Sequence, residues 1–309
     1  MIHYRESLKE FILPHLLAGL YPALPTPLDS QYHLKEDVAA KLLHHLLAAG
    51  MDGVYVAGST GEGLRLPKDT RKALVELLMR ELPTDKKLLV HVGTAKVEDA
   101  IELAEHAARC GAHAISSLPP QADAAGVQAY YQKLAQESAL PLILYFFPKV
   151  APNAFTDPQQ LLDACDLPNV VGVKFTDFNL YLMQRLVNRG KLVFNGYDEV
   201  FAAGLLMGAQ GGIGSTYNLM PEAYRKILTA AKSGDWDAAR RCQADVNQVI
   251  EVLAAKPFFP ALRAVLKHEG FDCGPLLSGE RLDSEDTEAE IVAILQQKMP
   301  AGLLPLLVS

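Results

Sequence analysis

A lysine closes an apolar run at Asn169-Val-Val-Gly-Val-Lys174-Phe-Thr176. Pro168 before it and the β-branched residues within it specify a strand, and the unbroken apolarity specifies one covered on both faces, as in parallel sheets. An ammonium at the inner end of such a strand is withdrawn from water. That favours the neutral amine and supplies a nucleophile near neutral pH, the chemistry of a Schiff base with a carbonyl substrate. The alternative is a strand-end lysine paired with a neighbouring carboxylate such as Asp177. Tyr145 closes a second apolar run, Pro141-Leu-Ile-Leu-Tyr145. Alone it reads as a rim aromatic; beside an imine-forming lysine, a phenol can pass protons to and from a forming hydroxyl.

Two further stretches supply polar groups. Gly58-Ser-Thr-Gly-Glu-Gly63 offers glycines for close backbone approach, and the Ser59 and Thr60 hydroxyls with exposed amides to hold a carboxylate or phosphate. It lacks the Gly-Lys-Ser/Thr ending of a nucleotide loop and the spacing of a dinucleotide fingerprint. Glu62 either supports this loop or touches substrate. Asn195-Gly-Tyr-Asp-Glu199 and Gly211-Gly-Ile-Gly-Ser-Thr216 combine adjacent acids, hydroxyls and bare carbonyls, a wall suited to a polyhydroxylated molecule. Asp198 and Glu199 also read as helix N-terminal acids complementing the dipole. His91, His106 and His113 show no convergent ligand spacing, and each reads as core or surface rather than as a metal ligand.

These residues must be positioned by a regular framework. Strands are predicted at 19–26, 53–57, 88–92, 113–118, 141–145, 170–174, 192–195 and 211–215. Helices are predicted between and after them at 35–49, 68–81, 97–110, 126–138, 157–165, 179–188, 198–207 and 222–231. Eight strand–helix units with no second strand-rich block predict a closed parallel barrel rather than an open doubly wound sheet. Such barrels carry their sites at the C-terminal ends of the strands, where Lys174 and Tyr145 both fall. The expected organisation is an N-terminal extension over 1–18, a (β/α)8 TIM barrel over 19–232, and C-terminal helices over 233–309 packed on the barrel with no separating linker.

Composition narrows the partners. The 309 residues are half apolar and 21% charged, and the net charge of −7 offers no general attraction for nucleic acid. Cys110, Cys165, Cys242 and Cys273 lack a zinc or redox spacing and suit a reducing cytoplasm. Glu6, Lys9 and Glu10 break up the apolar residues of the N-terminus, which therefore lacks a signal-peptide core. No window is long enough for a membrane span, the Gly302-Leu-Leu-Pro-Leu-Leu-Val run included.

Together, Gly58-Ser-Thr-Gly-Glu62, Tyr145 with Pro148, Gly172-Val-Lys174-Phe-Thr176, Gly196-Tyr-Asp-Glu199 and Gly211-Gly-Ile-Gly-Ser-Thr-Tyr-Asn218 resemble the N-acetylneuraminate lyase and dihydrodipicolinate synthase family, in family order, from about Gly19 to about Gly270. The resemblance implies a (β/α)8 barrel with a C-terminal helical part, a homotetramer, and class I aldolase chemistry on pyruvate without metal or organic cofactor. It implies that Lys174 forms the imine, that Tyr145 relays protons, and that Ser59 and Thr60 hold the pyruvate carboxylate. The synthase branch carries an arginine two residues after the proline of its tyrosine motif; here Pro148 is followed by Lys149 and Val150. The chain is more similar to the sugar-acid lyases, which implies that Thr176, Gly196, Asp198, Glu199, Gly214 and Ser215 bind sugar hydroxyls and that the substrate is N-acetylneuraminate. Other 2-keto-3-deoxy acids, 2-keto-3-deoxygluconate and 4-hydroxy-2-oxoglutarate among them, are alternatives, as are a dihydrodipicolinate synthase-like enzyme and a non-catalytic keto-acid-binding barrel. Two stretches depart from the family pattern. Phe146 and Phe147 follow Tyr145, and Leu118-Pro-Pro-Gln-Ala-Asp123 stands where many members carry tyrosines.

Overall fold

The computed structural model describes residues 16–298. The N-terminal extension up to residue 15 and the apolar run from Gly302 lie outside the described residues. Eight strands, β1 (Leu20–Pro22), β2 (Gly53–Val56), β3 (Lys87–His91), β4 (Ala114–Ser117), β5 (Leu142–Phe146), β6 (Val170–Phe175), β7 (Leu192–Asn195) and β8 (Gly211–Gly214), form one parallel sheet in the order β1-β8-β7-β6-β5-β4-β3-β2. Between β1 and β2 the circle is completed by a parallel bridge from Ala23 to Tyr55, with the Leu24 amide donating to the Tyr55 carbonyl over 2.9 Å. The predicted TIM barrel is therefore the observed fold.

One helix follows each strand: α1 (Glu36–Ala48), α2 (Lys68–Glu81), α3 (Val97–Cys110), α4 (Ala124–Glu137), α5 (Pro158–Cys165), α6 (Leu180–Asn188), α7 (Phe201–Leu206) and α8 (Pro221–Lys232). Each turns an apolar stripe inward. In α1 the buried residues are Val38, Ala39, Leu42, Leu43 and Leu46, at the spacing that keeps one face on the sheet. Every large side chain so buried contributes about 1.5–3 kcal/mol relative to exposure. Local signals set the ends. Asp157 and Gln160 form a reciprocal capping box on α5, and Gly111, with φ 87°, terminates α3.

Strand alternation divides the core in two. Outward residues such as Leu142, Leu144, Val173 and Phe175 join the helices, whereas Tyr21, Tyr55, Leu89, Ile143, Phe194 and Ile213 fill the barrel interior. Three more helices, α9 (Trp236–Ala254), α10 (Phe258–His268) and α11 (Glu285–Lys298), follow the barrel. Among the described residues, no helix is long and apolar enough to cross a membrane.

Two elements depart from their predicted forms. The strand expected at 19–26 runs only over Leu20–Pro22, with Ala23 in an isolated bridge. The helix expected at 198–207 begins instead with a 3-10 turn, Asp198–Val200, and only then becomes α7. Its side chains make no cap bond. Asp198 and Glu199 stand in the first turn, as the sequence suggested, and Asp198 also bonds sideways to Thr216 at the β8 exit.

Candidate active site

Parallel register places Lys174 opposite Tyr145 on β5 and Phe194 on β7, so all three side chains point into the barrel. Lys174 is only 5% exposed, yet among the described residues no carboxylate pairs with it. Its Nζ lies 4.1 Å from the Tyr145 ring centroid and 4.8 Å from that of Tyr55. The faces of two phenol rings thus replace the counterion that a buried ammonium otherwise requires. Asp177, the alternative partner, is occupied locally, its Oδ1 accepting from the Asn179 amide over 2.7 Å.

His91, on β3, packs edge-on against Tyr145 at 6.2 Å and tilted against Tyr55 at 6.3 Å. Its Nε2 accepts from the Leu118 amide over 2.9 Å. Burial, then the positive charges of Arg71 and Lys174, hold its pKa well below the usual imidazole value, so the ring is neutral. His113 is likewise engaged by the backbone, Nδ1 accepting from the Leu88 amide over 3.1 Å. His91 is buried in the core and His113 is half-buried.

The β2 exit loop brings hydroxyls to this centre. Ser59 Oγ lies 3.4 Å from the Tyr145 hydroxyl, and Thr60 Oγ1 lies 2.7 Å from Ser215 Oγ across the barrel mouth. Glu62 resolves to the supporting role. It is buried, and its two carboxylate oxygens accept from the Leu277 and Ser278 amides, 2.8 Å each, tying the loop to the segment after α10. Where the chain lacks the family's tyrosines, Gln121 Nε2 donates to the Val150 carbonyl over 3.0 Å, bracing the β4 exit against the β5 exit.

The exits of β6, β7 and β8 build the opposite wall. Asp198 Oδ2 accepts from the Thr216 amide over 2.8 Å and from its hydroxyl over 2.7 Å, while Asp198 Oδ1 is buried without a partner. Burial raises the Asp198 carboxyl to about 6, against the lowering by its bonds to Thr216. Thr176 Oγ1 is also buried and unpartnered. Two glycines make these positions attainable. A Cβ on Gly196 would lie 2.0 Å from Thr176 Oγ1, and one on Gly214 would lie 1.9 Å from Asp198 Oδ1. The acidic turn is clamped from behind by α9, whose Gln243 donates to the Asp198 carbonyl and whose Asn247 donates to the Glu199 carbonyl, 3.0 Å each.

Between the walls lies a cavity of about 590 Å³. Lys174, Tyr145, Ser59, Thr60, Thr176, Gly196, Asp198, Glu199 and Ser215 all line it. Gly214 does not; it sits behind Asp198 as a spacer. The structure adds contributors that sequence reasoning missed. Tyr55 supplies the second ring under Lys174, and its inward place in the β2 alternation was the available signal. Tyr197 lines the mouth, stacked on Phe178 at 4.5 Å, beside Phe147 and Lys149, which the sequence already singles out. Ile250, Ala254, Phe258 and Phe259 close one side from α9 and the start of α10, and only tertiary docking brings them there.

The family model described as the dihydrodipicolinate synthetase family matches residues 16–298. The chain belongs to this family. Members of the family are lyases, and the N-acetylneuraminate lyase of Rhizobium meliloti (strain 1021) is 36% identical over 289 residues, covering 92% of this chain and 95% of the relative. Among solved structures, CdNal from Clostridium difficile, in complex with mannosamine, superposes with a TM-score of 0.86 at 26% identity, covering 91% of this chain and 99% of its own. The Ruminococcus gnavus sialic acid aldolase gives 0.84 at 26%, covering 92% and 100%. Family membership accounts for the pairing of a (β/α)8 barrel with C-terminal helices, and it supports class I aldolase chemistry as the coarse function.

Proposed function

We propose that the protein is a Schiff-base aldolase that cleaves N-acetylneuraminate to N-acetylmannosamine and pyruvate. The carrying observation is the pairing, in one cavity, of a buried lysine without a counterion and a wall whose Thr176 Oγ1 and Asp198 Oδ1 have unmet hydrogen-bonding capacity. Buried polar atoms without partners are costly, and sugar hydroxyls would satisfy them. The apolar side formed by Ile250, Ala254, Phe258 and Phe259 suits an acyl methyl group. The names of the relatives, N-acetylneuraminate lyase and sialic acid aldolase, support the same substrate.

In this mechanism the Lys174 amine attacks the C2 ketone of the open-chain substrate, and the carbinolamine loses water to give a protonated imine. The C4 hydroxyl gives up its proton through Tyr145, the C3–C4 bond breaks, and its electron pair moves into the imine to form an enamine. N-acetylmannosamine leaves as the aldehyde. Protonation at C3 and hydrolysis of the imine release pyruvate and restore the amine. Ser59 and Thr60 hold the C1 carboxylate, and Ser59 Oγ extends the proton path from Tyr145. Gly196, Glu199 and Ser215 complete the sugar-binding wall with Thr176 and Asp198, and Gly214 acts through Asp198. No metal or organic cofactor takes part. A homotetramer belongs to this reading, and association would cover the exposed Leu64, Phe178 and Tyr181. So does a cytoplasmic location, which the four free cysteines suit.

The test is to incubate the protein with pyruvate and borohydride and measure its intact mass. The expected outcome is a reduced pyruvate adduct on the Lys174 peptide, absent from a Lys174→Ala variant that still binds no adduct elsewhere. A folded wild-type protein without an adduct would point to a keto-acid-binding barrel. A substrate panel then separates N-acetylneuraminate from shorter 2-keto acids.

A further inference from the structure

On the outside of the barrel, three side chains with ligand atoms meet between α2 and α3. His106 and Cys110 stand four residues apart on one face of α3, and Glu76 reaches them from α2. Glu76 Oε1 lies 2.8 Å from His106 Nε2, Cys110 Sγ lies 3.7 Å from the same nitrogen, and all three ligand atoms fall within 4.8 Å of one another. We propose that Glu76, His106 and Cys110 form a binding site for a zinc-class divalent cation that staples α2 to α3. The cluster lies at the end of α3, just before the turn at Gly111 that leads into β4. It is therefore on the rim opposite the strand ends that carry Lys174.

The donor set selects the class of cation. A thiolate, an imidazole and a carboxylate suit zinc, cobalt and their neighbours, whereas magnesium and calcium take oxygen ligands. Tetrahedral bonds of about 2.0–2.3 Å place neighbouring ligand atoms about 3.3–3.8 Å apart. The Cys110–His106 separation already has that span. Glu76 must withdraw by about half an ångström, and its side chain, 61% exposed, is free to do so and leaves room for a water as fourth ligand. The scaffold is held independently, because Lys68 bridges α2 to Asp99 and Glu102 of α3 at 2.6 and 2.5 Å.

A nucleophilic Cys–His–Glu triad is the competing use of these residues, and the geometry opposes it. Sγ is 3.7 Å from Nε2 and 3.9 Å from Nδ1, so it rests against the ring instead of in line with the nitrogen that Glu76 leaves free. Burial and the Glu76 charge also raise the Cys110 thiol. The cation must displace that proton to solvent. The proton on His106 Nε2 moves to Nδ1, or leaves as well where the ring starts as imidazolium, so binding strengthens as pH rises.

The full-length protein, stripped with a chelator and titrated with cobalt(II) chloride, provides the test, followed by thiolate-to-cobalt charge-transfer absorption and reversed by zinc. The expected result is one cobalt per chain. The charge-transfer band should be absent in Cys110→Ser, and affinity should fall at least about tenfold in His106→Gln and in the exposed Glu76→Gln. Borohydride trapping of pyruvate should be the same with and without the cation. No band in the wild type, a band that survives Cys110→Ser, or affinity indifferent to both His106→Gln and Glu76→Gln would overturn the proposal.

Discussion

The two halves of the cavity solve opposite problems. Around Lys174 the polar groups are few and already engaged: its ammonium faces the Tyr145 and Tyr55 rings, Ser59 meets Tyr145, and Thr60 meets Ser215. At the exits of β6 to β8 the polar groups are crowded and incompletely satisfied, with Thr176 Oγ1 and Asp198 Oδ1 buried and unpartnered. The first arrangement leaves a buried lysine with no carboxylate partner among the described residues. The second stores binding capacity that only a polar ligand releases. Under the proposed function one half carries chemistry and the other recognition, so the two kinds of defect should appear in different kinetic constants.

Tyr145→Phe should give the sharpest separation. The substitution keeps the ring under Lys174 and removes only the hydroxyl, so imine trapping should persist while turnover falls by about 10²–10⁴-fold with little change in KM. Steady-state kinetics and the borohydride assay together check this. A loss confined to KM would merge the two halves and remove Tyr145 from the proton path.

The two halves were also unequally legible in the sequence. Lys174 and Tyr145 announce themselves because each ends an apolar run, and the helices at Lys68–Glu81 and Val97–Cys110 match their predicted bounds because apolar spacing acts locally, with Pro83 beyond the first and Gly111 ending the second. Asp198 was recognisable as a polar group but not as a buried one. Its environment comes from Thr216, eighteen residues on, and from α9, whose Gln243 clamps the turn. Phe258 and Phe259 carry no signal of their own, since a pair of aromatics at a helix start reads equally well as core. The outer cluster behaves similarly: the spacing of His106 and Cys110 is visible in the chain, but Glu76 joins them only because α2 packs beside α3.

Asp198→Asn tests the recognition half. The amide can keep its oxygen on the Thr216 donors, but its nitrogen can no longer accept from a substrate hydroxyl. A lost charged hydrogen bond of about 1.5–3 kcal/mol raises KM roughly 10- to 100-fold, with kcat less affected. The same variant has a stability signature. Burial raises the folded carboxyl to about 6, above its unfolded value of 3.8, so the native state takes up this proton first as pH falls. The contribution is therefore present at pH 4 and is lost as pH rises through about 6. Relative to wild type, Asp198→Asn should gain on the order of 3 kcal/mol between pH 4 and pH 7 in denaturant melts. A pH-independent difference would mean that Asp198 is not the buried acid described.

The smallest effect is the most specific. In Gly214→Ala the new Cβ would stand 1.9 Å from Asp198 Oδ1 and 2.6 Å from Tyr217 Cε1, so the carboxylate must shift although nothing at the imine changes. KM should rise by less than in Asp198→Asn and imine trapping should be unaffected, with about 1–3 kcal/mol lost in stability from overpacking. Gly190→Ala is the matched control. Its φ of +74° brings a backbone strain that Gly214 does not have, but no atom lies within 4 Å of the added methyl. It should cost about 1–2 kcal/mol in the melt and leave KM where it is. If Gly190→Ala raised KM as much as Gly214→Ala, the recognition wall would be responding to global stability and not to the position of Asp198, and the division between the two halves would fail at its recognition end.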